Sequence, residues 1–293
     1  MLKANILFII NPISGGKKKS KIPRMIDNYL DKSKFNANFS FTEFIGHGAE
    51  LAEEAVKKDF DIIVAVGGDG TINEVAAKVM EHQKILGIIP QGSGNGLARF
   101  LKIPMDIKKA ILLINNHKVE TIDCATLNGK FFFNMAGMGF DAHISAEFAN
   151  HKTRGLYGYV KTVMKELSAY RPQTYQINID GVGYTRNAFV VSIANSSQYG
   201  NNVFISPASS TNDGLLDVCI VKDFPLYKLP VLAYEMIMAK THQSNMVEII
   251  RGKHILINRG KEDPVHLDGE SFLMDKEIAI DVISLALKIM TKN

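Results

Sequence analysis

The residue pattern predicts two domains of different class, an open α/β domain on a parallel sheet followed by an antiparallel β-sandwich. Three observations carry this. Over residues 1–120, short apolar runs alternate with stretches whose apolar residues recur at helical spacing. Over residues 121–283, strand-like runs follow one another with few helices between them. The composition, 46% hydrophobic and 22% charged, is that of a globular chain and excludes a disordered or fibrous one.

Element by element, Asn5–Ile10 is an apolar run cut off by Asn11-Pro12 and reads as a buried strand. Ile22, Met25, Ile26, Tyr29 and Leu30 then fall on one helix face. Phe39, Phe41 and Ile45 alternate as in a strand, and Ala49, Ala52, Ala55 and Val56 return to helical spacing. Asp61–Val66 and Ile85–Ile89 are further apolar strands. Between them lies a stripe of Ile72, Val75, Ala76, Val79 and Met80, and Ile107, Ala110, Ile111 and Ile114 mark a later helix. In the second half, Phe131–Met135, Tyr175–Ile179, Phe189–Ala194, Leu215–Val221, Val247–Ile250, His254–Ile257 and Ile278–Val282 read as strands, with Asp180-Gly181 as a hairpin turn. Leu156–Leu167 and Leu226–Met238 read as helices. The closing residues 284–293 are apolar enough to pack back on the first domain.

Lys and Arg outnumber Asp and Glu by 34 to 30, a net charge of +4 that is too mild to announce a nucleic-acid partner. Cys124 and Cys219 are too few for a disulfide framework or a Cys-rich zinc site, so a reducing, cytoplasmic setting is expected. No apolar run approaches the roughly 20 residues that span a bilayer, so no transmembrane segment is expected and any membrane association is peripheral.

The chemistry concentrates at three breaks, each directly after a strand of the parallel sheet: Asn11-Pro12-Ile13-Ser14-Gly15-Gly16, Gly67-Gly68-Asp69-Gly70-Thr71-Ile72-Asn73 and Gly92-Ser93-Gly94-Asn95-Gly96. All three belong at the C-terminal edge of the sheet, where open α/β folds bind ligands. Glycine lets backbone N–H groups approach a phosphate, and a helix starting at Thr71 or Asn95 adds its positive end. A carboxylate beside polyphosphate is repulsive unless a cation stands between, so Asp69 argues for Mg²⁺, directly or through water. Lys17, Lys18, Lys19 and Lys21 follow the first break and serve equally as a solvated helix start. No Walker A pattern is present. Gly137-Met138-Gly139-Phe140-Asp141-Ala142 is only a loose dinucleotide fingerprint, without a βαβ unit around it. Taken alone, Asp213-Gly214 reads as a turn and Asp268-Gly269-Glu270 as a hairpin loop.

At these residues the chain resembles the diacylglycerol kinase catalytic-domain family, which includes soluble bacterial lipid kinases, sphingosine kinases and ceramide kinases. Gly67–Asn73 is similar to that family's Gly-Gly-Asp-Gly-Thr loop, shared in shorter form with NAD kinases and phosphofructokinases. Asn11–Gly15, Ser93–Arg99 and Asp268-Gly269-Glu270 follow in the family's order. The resemblance implies an N-terminal domain like that of NAD kinases and phosphofructokinases, and an ATP- and Mg²⁺-dependent transfer of the γ-phosphoryl to a lipid hydroxyl. It implies ATP on Asn11, Pro12, Ile13, Ser14, Gly15, Thr42, Gly67, Gly68, Asp69, Gly70, Thr71, Ile72, Asn73, Ser93 and Asn95, with Asp123 a further acidic residue of the site. Glu270 corresponds to the proton acceptor, with Asp268 and Asp69 near it. Ser210, Asp213 and Leu215 correspond to a structural Mg²⁺ loop. The implied partner is a lipid, diacylglycerol or similar, met at the inner membrane surface, and a homodimer is compatible with it. Gly96 stands where bacterial diacylglycerol kinases usually carry Asp, and this spelling is closer to sphingosine kinases. A long-chain-base kinase, a soluble-substrate kinase of the NAD-kinase type and a nucleotide-binding regulator without catalysis remain alternatives.

Overall fold

The structure, a computed structural model, describes residues 3–16, 20–150, 163, 166–167 and 169–292. Most of the lysine run after Gly16 and most of the helix expected over 156–167 lie outside those residues. The chain divides into two compact units. Unit 1 comprises Met1–Cys124, Gly200–Asn202 and Ser284–Asn293, and unit 2 comprises Ala125–Tyr199 and Val203–Ile283.

Unit 1 is built on β1 (Ala4–Ile10), α1 (Ile22–Tyr29), β2 (Phe35–Phe41), α2 (His47–Lys57), β3 (Ile62–Gly67), α3 (Asp69–Glu81), β4 (Ile85–Pro90), α4 (Gly96–Phe100), α5 (Ile107–Asn115) and the start of β5 (His117–Leu127). β1 pairs in parallel with β2 and β3, and β3 in parallel with β4. Residues of β1 are apolar on both faces because both faces are covered. Ile6, Phe8 and Ile10 pack with Ile22 and Ile26 of α1 and Ile111 and Ile114 of α5. The opposite face is lined by the buried Leu7 and Ile9, and α2 and α3 pack on each other, burying Ala52, Ala55, Val75 and Ala76. Ile45 does not continue β2. The ladder with β1 ends where the Thr42 N–H bonds the Ile10 carbonyl (3.0 Å), Gly46 takes φ +91° into α2, and Ile45 is left exposed.

Unit 2 is antiparallel throughout its described pairings. It contains the end of β5, β6 (Lys130–Phe132), β7 (Met135–Gly139), α6 (Phe140–Asn150), β8 (Gln173–Ile179), β9 (Val182–Ala194), all but the last residue of β10 (Gln198–Gly200), β11 (Val203–Phe204), β12 (Leu216–Lys222), α7 (Leu229–Ile237), β13 (Val247–Gly252), β14 (His254–Arg259), β15 (Asp263–Leu267) and β16 (Glu270–Met274). β17 (Glu277–Lys292) begins in unit 2, paired with β14. It ends in unit 1, where Lys288 and Ile289 lie parallel to Ile85 and Leu86. Asp180 and Gly181, both at positive φ, close a two-residue hairpin between β8 and β9. The inner faces meet in a sandwich-like core of Ala136, Met138, Tyr175, Val191, Val218, Ile257 and Val265. Phe132, Phe133 and Met135 are buried core side chains.

The strands β5, β10, β11, β15 and β16 were not expected. β15 and β16 form a hairpin that mixes buried Val265, Leu267 and Met274 with polar residues and carries Pro264. Proline is tolerated there because β7 pairs only with Val265, His266 and Leu267. The run expected as one strand over Phe131–Met135 breaks at Phe133-Asn134, where successive backbone N–H groups turn to a side chain instead of a strand.

Candidate active site

The three glycine breaks of unit 1 meet at the C-terminal edge of its sheet. After β1, Asn11 Oδ1 accepts the Ile13 N–H (3.1 Å) and Asn11 Nδ2 donates to Thr71 Oγ1 (3.0 Å). This ties the first break to the second, with Pro12 and Ile13 exposed. Thr42 is buried beside it at the end of β2. Gly15 sits at φ +59° against the Gln91 carbonyl, and a Cβ on Gly92 would meet the Gly68 Cα at 2.6 Å. Such backbone contact leaves room only for glycine.

α3 starts at Asp69, behind Gly68, with no side-chain cap. The N–H groups of Asp69, Gly70 and Thr71 therefore have no acceptor within the helix, and this end carries the positive pole of the helix dipole. A phosphate at that place receives both. Ile72 contributes differently: its side chain is core and its N–H bonds the Gly68 carbonyl (3.0 Å). Asn73 is half-buried on the next turn.

Asp69 does more than carry charge. Its Oδ2 accepts the Asn95 N–H (2.8 Å) and its Oδ1 the Gly96 N–H (2.9 Å), capping α4 and fastening the third break to the second. Asn95, at φ +52°, closes its own turn by accepting the Gly92 N–H and donating to the Gly92 carbonyl, which leaves Ser93 exposed at the tip. The charge beside the glycine breaks is therefore held in place, and a hydrated Mg²⁺ would fit Asp69 through water more readily than through direct ligation. Asp123 is fully buried in β5, where its Oδ1 accepts the Leu285 N–H (2.7 Å) at a left-handed break in β17.

Sequence reasoning missed Glu74, one turn beyond Gly70. Its two carboxylate oxygens accept the Gly46 and Gly48 N–H groups (2.8 and 3.0 Å), aligning the start of α2 with α3. No local pattern announces a bond across so many residues. Arg99 was read only as the end of the Ser93–Arg99 segment; its Nε donates to the Gly94 carbonyl (2.9 Å) and braces the third break.

In unit 2, Asp268 and Glu270 flank Gly269 at the β15–β16 turn. Asp268 is buried, and its carboxylate accepts the N–H groups of Phe133, Asn134 and Met135, each at 2.9 Å. It holds the hairpin against β7. Glu270, at the first position of β16, is half-buried. From β15 a polar network extends to α6, β9 and β10. His266 Nε2 faces Asp141 Oδ2 (3.1 Å), which also receives the Tyr199 hydroxyl (3.2 Å), and Ser192 bonds Tyr199. Burial, reinforced by Asp141, pushes the Tyr199 hydroxyl well above the usual tyrosine range, so it stays a donor.

Ser210, Asp213 and Leu215 lie in the turn before β12. Asp213 Oδ1 accepts the Leu215 N–H (3.1 Å), and Ser210 Oγ donates to Asn212 (2.7 Å). Asp213 Oδ2 is ion-paired with Arg251, whose Nε also bonds the buried Asp217 carboxylate (2.8 Å). The donor set there already contains a cation, and a Mg²⁺ would have to share Asp213 with it.

A family model for the diacylglycerol kinase catalytic domain matches residues 5–127, and one for the YegS C-terminal NAD kinase beta sandwich-like domain matches residues 134–291. The diacylglycerol kinase of Bacillus subtilis strain 168 is 29% identical over 275 residues, covering 92% of this chain and 90% of its own. That of Staphylococcus carnosus strain TM300 is 27% identical over 270 residues, covering 89% and 87%. The crystal structure of a diacylglycerol kinase from Bacillus anthracis strain Sterne superposes with a TM-score of 0.73 at 22% identity, covering 99% of this chain and 97% of that one, a likeness of fold. With its two halves matched in order, the chain belongs to the diacylglycerol kinase catalytic-domain family and is a lipid kinase.

Proposed function

We propose that this chain transfers the γ-phosphoryl of ATP to the hydroxyl of diacylglycerol or a closely similar lipid, taken from a membrane surface. The observation that carries the nucleotide half is the packing of three glycine breaks around the uncapped start of α3, with Asp69 fastened among them. In this reading the backbone of Gly68–Thr71 receives phosphate oxygens, while Asn11, Thr42 and the Gly92–Asn95 turn shape the pocket around them. Mg²⁺, when bound, neutralises charge on the phosphates during transfer. Asp69 orients its water shell, and Glu270 accepts the proton of the lipid hydroxyl. Asp268 acts through the backbone, by holding the hairpin that carries Glu270.

Phosphoryl transfer asks mainly for positioning, and a positioned base contributes about 10²–10⁴-fold. Glu270→Gln should therefore lower turnover by about that factor while calorimetry shows ATP binding unchanged. Lipid phosphorylation at the wild-type rate would remove Glu270 from the mechanism. A long-chain-base acceptor is the second reading, favoured by Gly96 in place of an acid beside Asp69.

A further inference from the structure

Helix α7 presents an outer face that a protein in water has reason to cover. Leu226 and Tyr227 in the turn before it, Val231, Tyr234 and Ile237 on it, and Met238 after it are 48–77% exposed. Pro230 and Ala233, also exposed, fill the gaps, so the face carries no polar side chain apart from the tyrosine hydroxyls. Only Leu232 is fully buried, with Leu229 and Met236 packed against the core of Phe189, Val221 and Phe224. A helix that is apolar on its inner and its outer side is a helix with two apolar partners.

The surrounding charge selects the second partner. Lys228 and Lys240 stand exposed at the two ends of α7, and neither is ion-paired among the described residues. Lys240 Nζ lies 5.9 Å from the centre of the Tyr234 ring. The single acid on the helix, Glu235, is turned inward with a buried carboxylate oxygen, and Asp223 is the exposed acid that precedes the face. Tyrosine and lysine bordering an apolar patch match the interface of a bilayer, where the rings sit at headgroup level and the ammonium groups meet anionic lipid. Two copies of this chain paired about a two-fold axis through α7 would set lysine near lysine, which disfavours self-association.

We propose that α7, with the turn before it, is the segment that seats this protein on an anionic bilayer surface. The choice of occupant rests on the lipid-kinase reading, since an enzyme that phosphorylates a water-insoluble lipid must work where that lipid resides. The apolar face enters the headgroup–acyl boundary, and Lys228 and Lys240 hold it there.

The chain contains no tryptophan, so Tyr234→Trp supplies a single reporter. With vesicles of phosphatidylcholine containing phosphatidylglycerol, its emission should shift to the blue and be quenched by brominated acyl chains. Tyr234→Glu combined with Ile237→Glu should keep the wild-type Tm and lower vesicle co-sedimentation by at least about tenfold. Lys228→Gln and Lys240→Gln should each weaken binding by about fivefold, following the roughly 1 kcal/mol assigned to each basic side chain at such a surface. The double glutamate variant should phosphorylate a dispersed short-chain lipid at the wild-type rate and lose activity only on vesicles. An unshifted tryptophan, or vesicle binding undiminished in the double variant, would overturn the proposal. So would a wild-type dimer that the double variant dissolves without either form binding vesicles, since a second copy would then be the occupant. Vesicle binding that depends on α7, without transfer to any lipid, would instead retain the docking surface and refute the kinase reading.

Discussion

Asp69 and Asp268 are both carboxylates that spend their oxygens on backbone N–H groups, and this sets what their removal does. Asp268 satisfies three buried N–H groups at the break between β6 and β7. Each buried donor left unpaired costs about 1–3 kcal/mol, so Asp268→Ala should lower stability by about 3 kcal/mol or more, read as a fall in the urea midpoint. An unchanged midpoint would show the break closing by other means. Asp69→Asn should preserve the fold more nearly and act on nucleotide use, raising the KM for ATP together with the Mg²⁺ needed for half-maximal rate. The Arg251 pair on Asp213 leads to a different expectation for metal removal. EDTA should stop phosphoryl transfer while leaving Tm in place, and a drop of several degrees would place a structural ion at that turn. The special status of Asp69 was legible, because an acid inside a glycine-rich phosphate loop needs an explanation. Its cap on α4 was not, since nothing local ties residue 69 to 95 and 96.

Among the elements, the β15–β16 hairpin carries Asp268 and Glu270, and it is anchored by a buried cation. Arg259, 2% exposed, donates to the carbonyls of Asp263 (2.5 Å), Pro264 (3.2 Å) and Met274 (2.6 Å). Burial lowers its pKa, while Tyr175 and Asp263 act in the opposite sense. Arg259→Met would leave those carbonyls unpaired, so we expect a loss of about 3 kcal/mol with the hairpin amides showing the largest gain in hydrogen exchange. Protection retained there would refute this anchoring. Glu248 of β13 offers a pH test. The Arg186 guanidinium of β9, bonded to both its oxygens, holds its carboxyl below the ordinary value. A depressed folded-state pKa gives stability that is present above the unfolded-state pKa and lost as pH falls through the folded one. The pair is partly exposed, so the difference between wild type and Glu248→Gln should stay under about 1 kcal/mol at neutral pH and vanish in acid. A difference that grows towards acid would contradict it. The elements of unit 1 were readable because buried parallel strands and amphipathic helices have distinct periods, as in Ile6–Ile10 against Ile72–Met80. β15 and β16 escaped because Pro264, His266 and Ser271 interrupt any apolar alternation, and what pairs them is the turn at Asp268-Gly269 and the reach of Arg259.

For the whole molecule, the change of period at about residue 120, within β5, made the two classes of domain visible. The function needed the order of four short segments spread along the chain, Asn11–Gly15, Gly67–Asn73, Ser93–Arg99 and Asp268–Glu270. Each alone is an ordinary turn. From the sequence, Leu226–Met238 was read only as a helix, because apolar residues facing solvent and apolar residues facing a core are written in the same letters. We propose that the glycine cradle of unit 1 presents ATP for transfer to a lipid. The most direct test is incubation of the protein with γ-labelled ATP, Mg²⁺ and a panel of diacylglycerol, phosphatidylglycerol, long-chain bases and NAD, followed by solvent extraction. Label in a single organic-phase product, lost in Asp69→Asn and Glu270→Gln, is the predicted result; label confined to NAD, or none transferred at all, would contradict it.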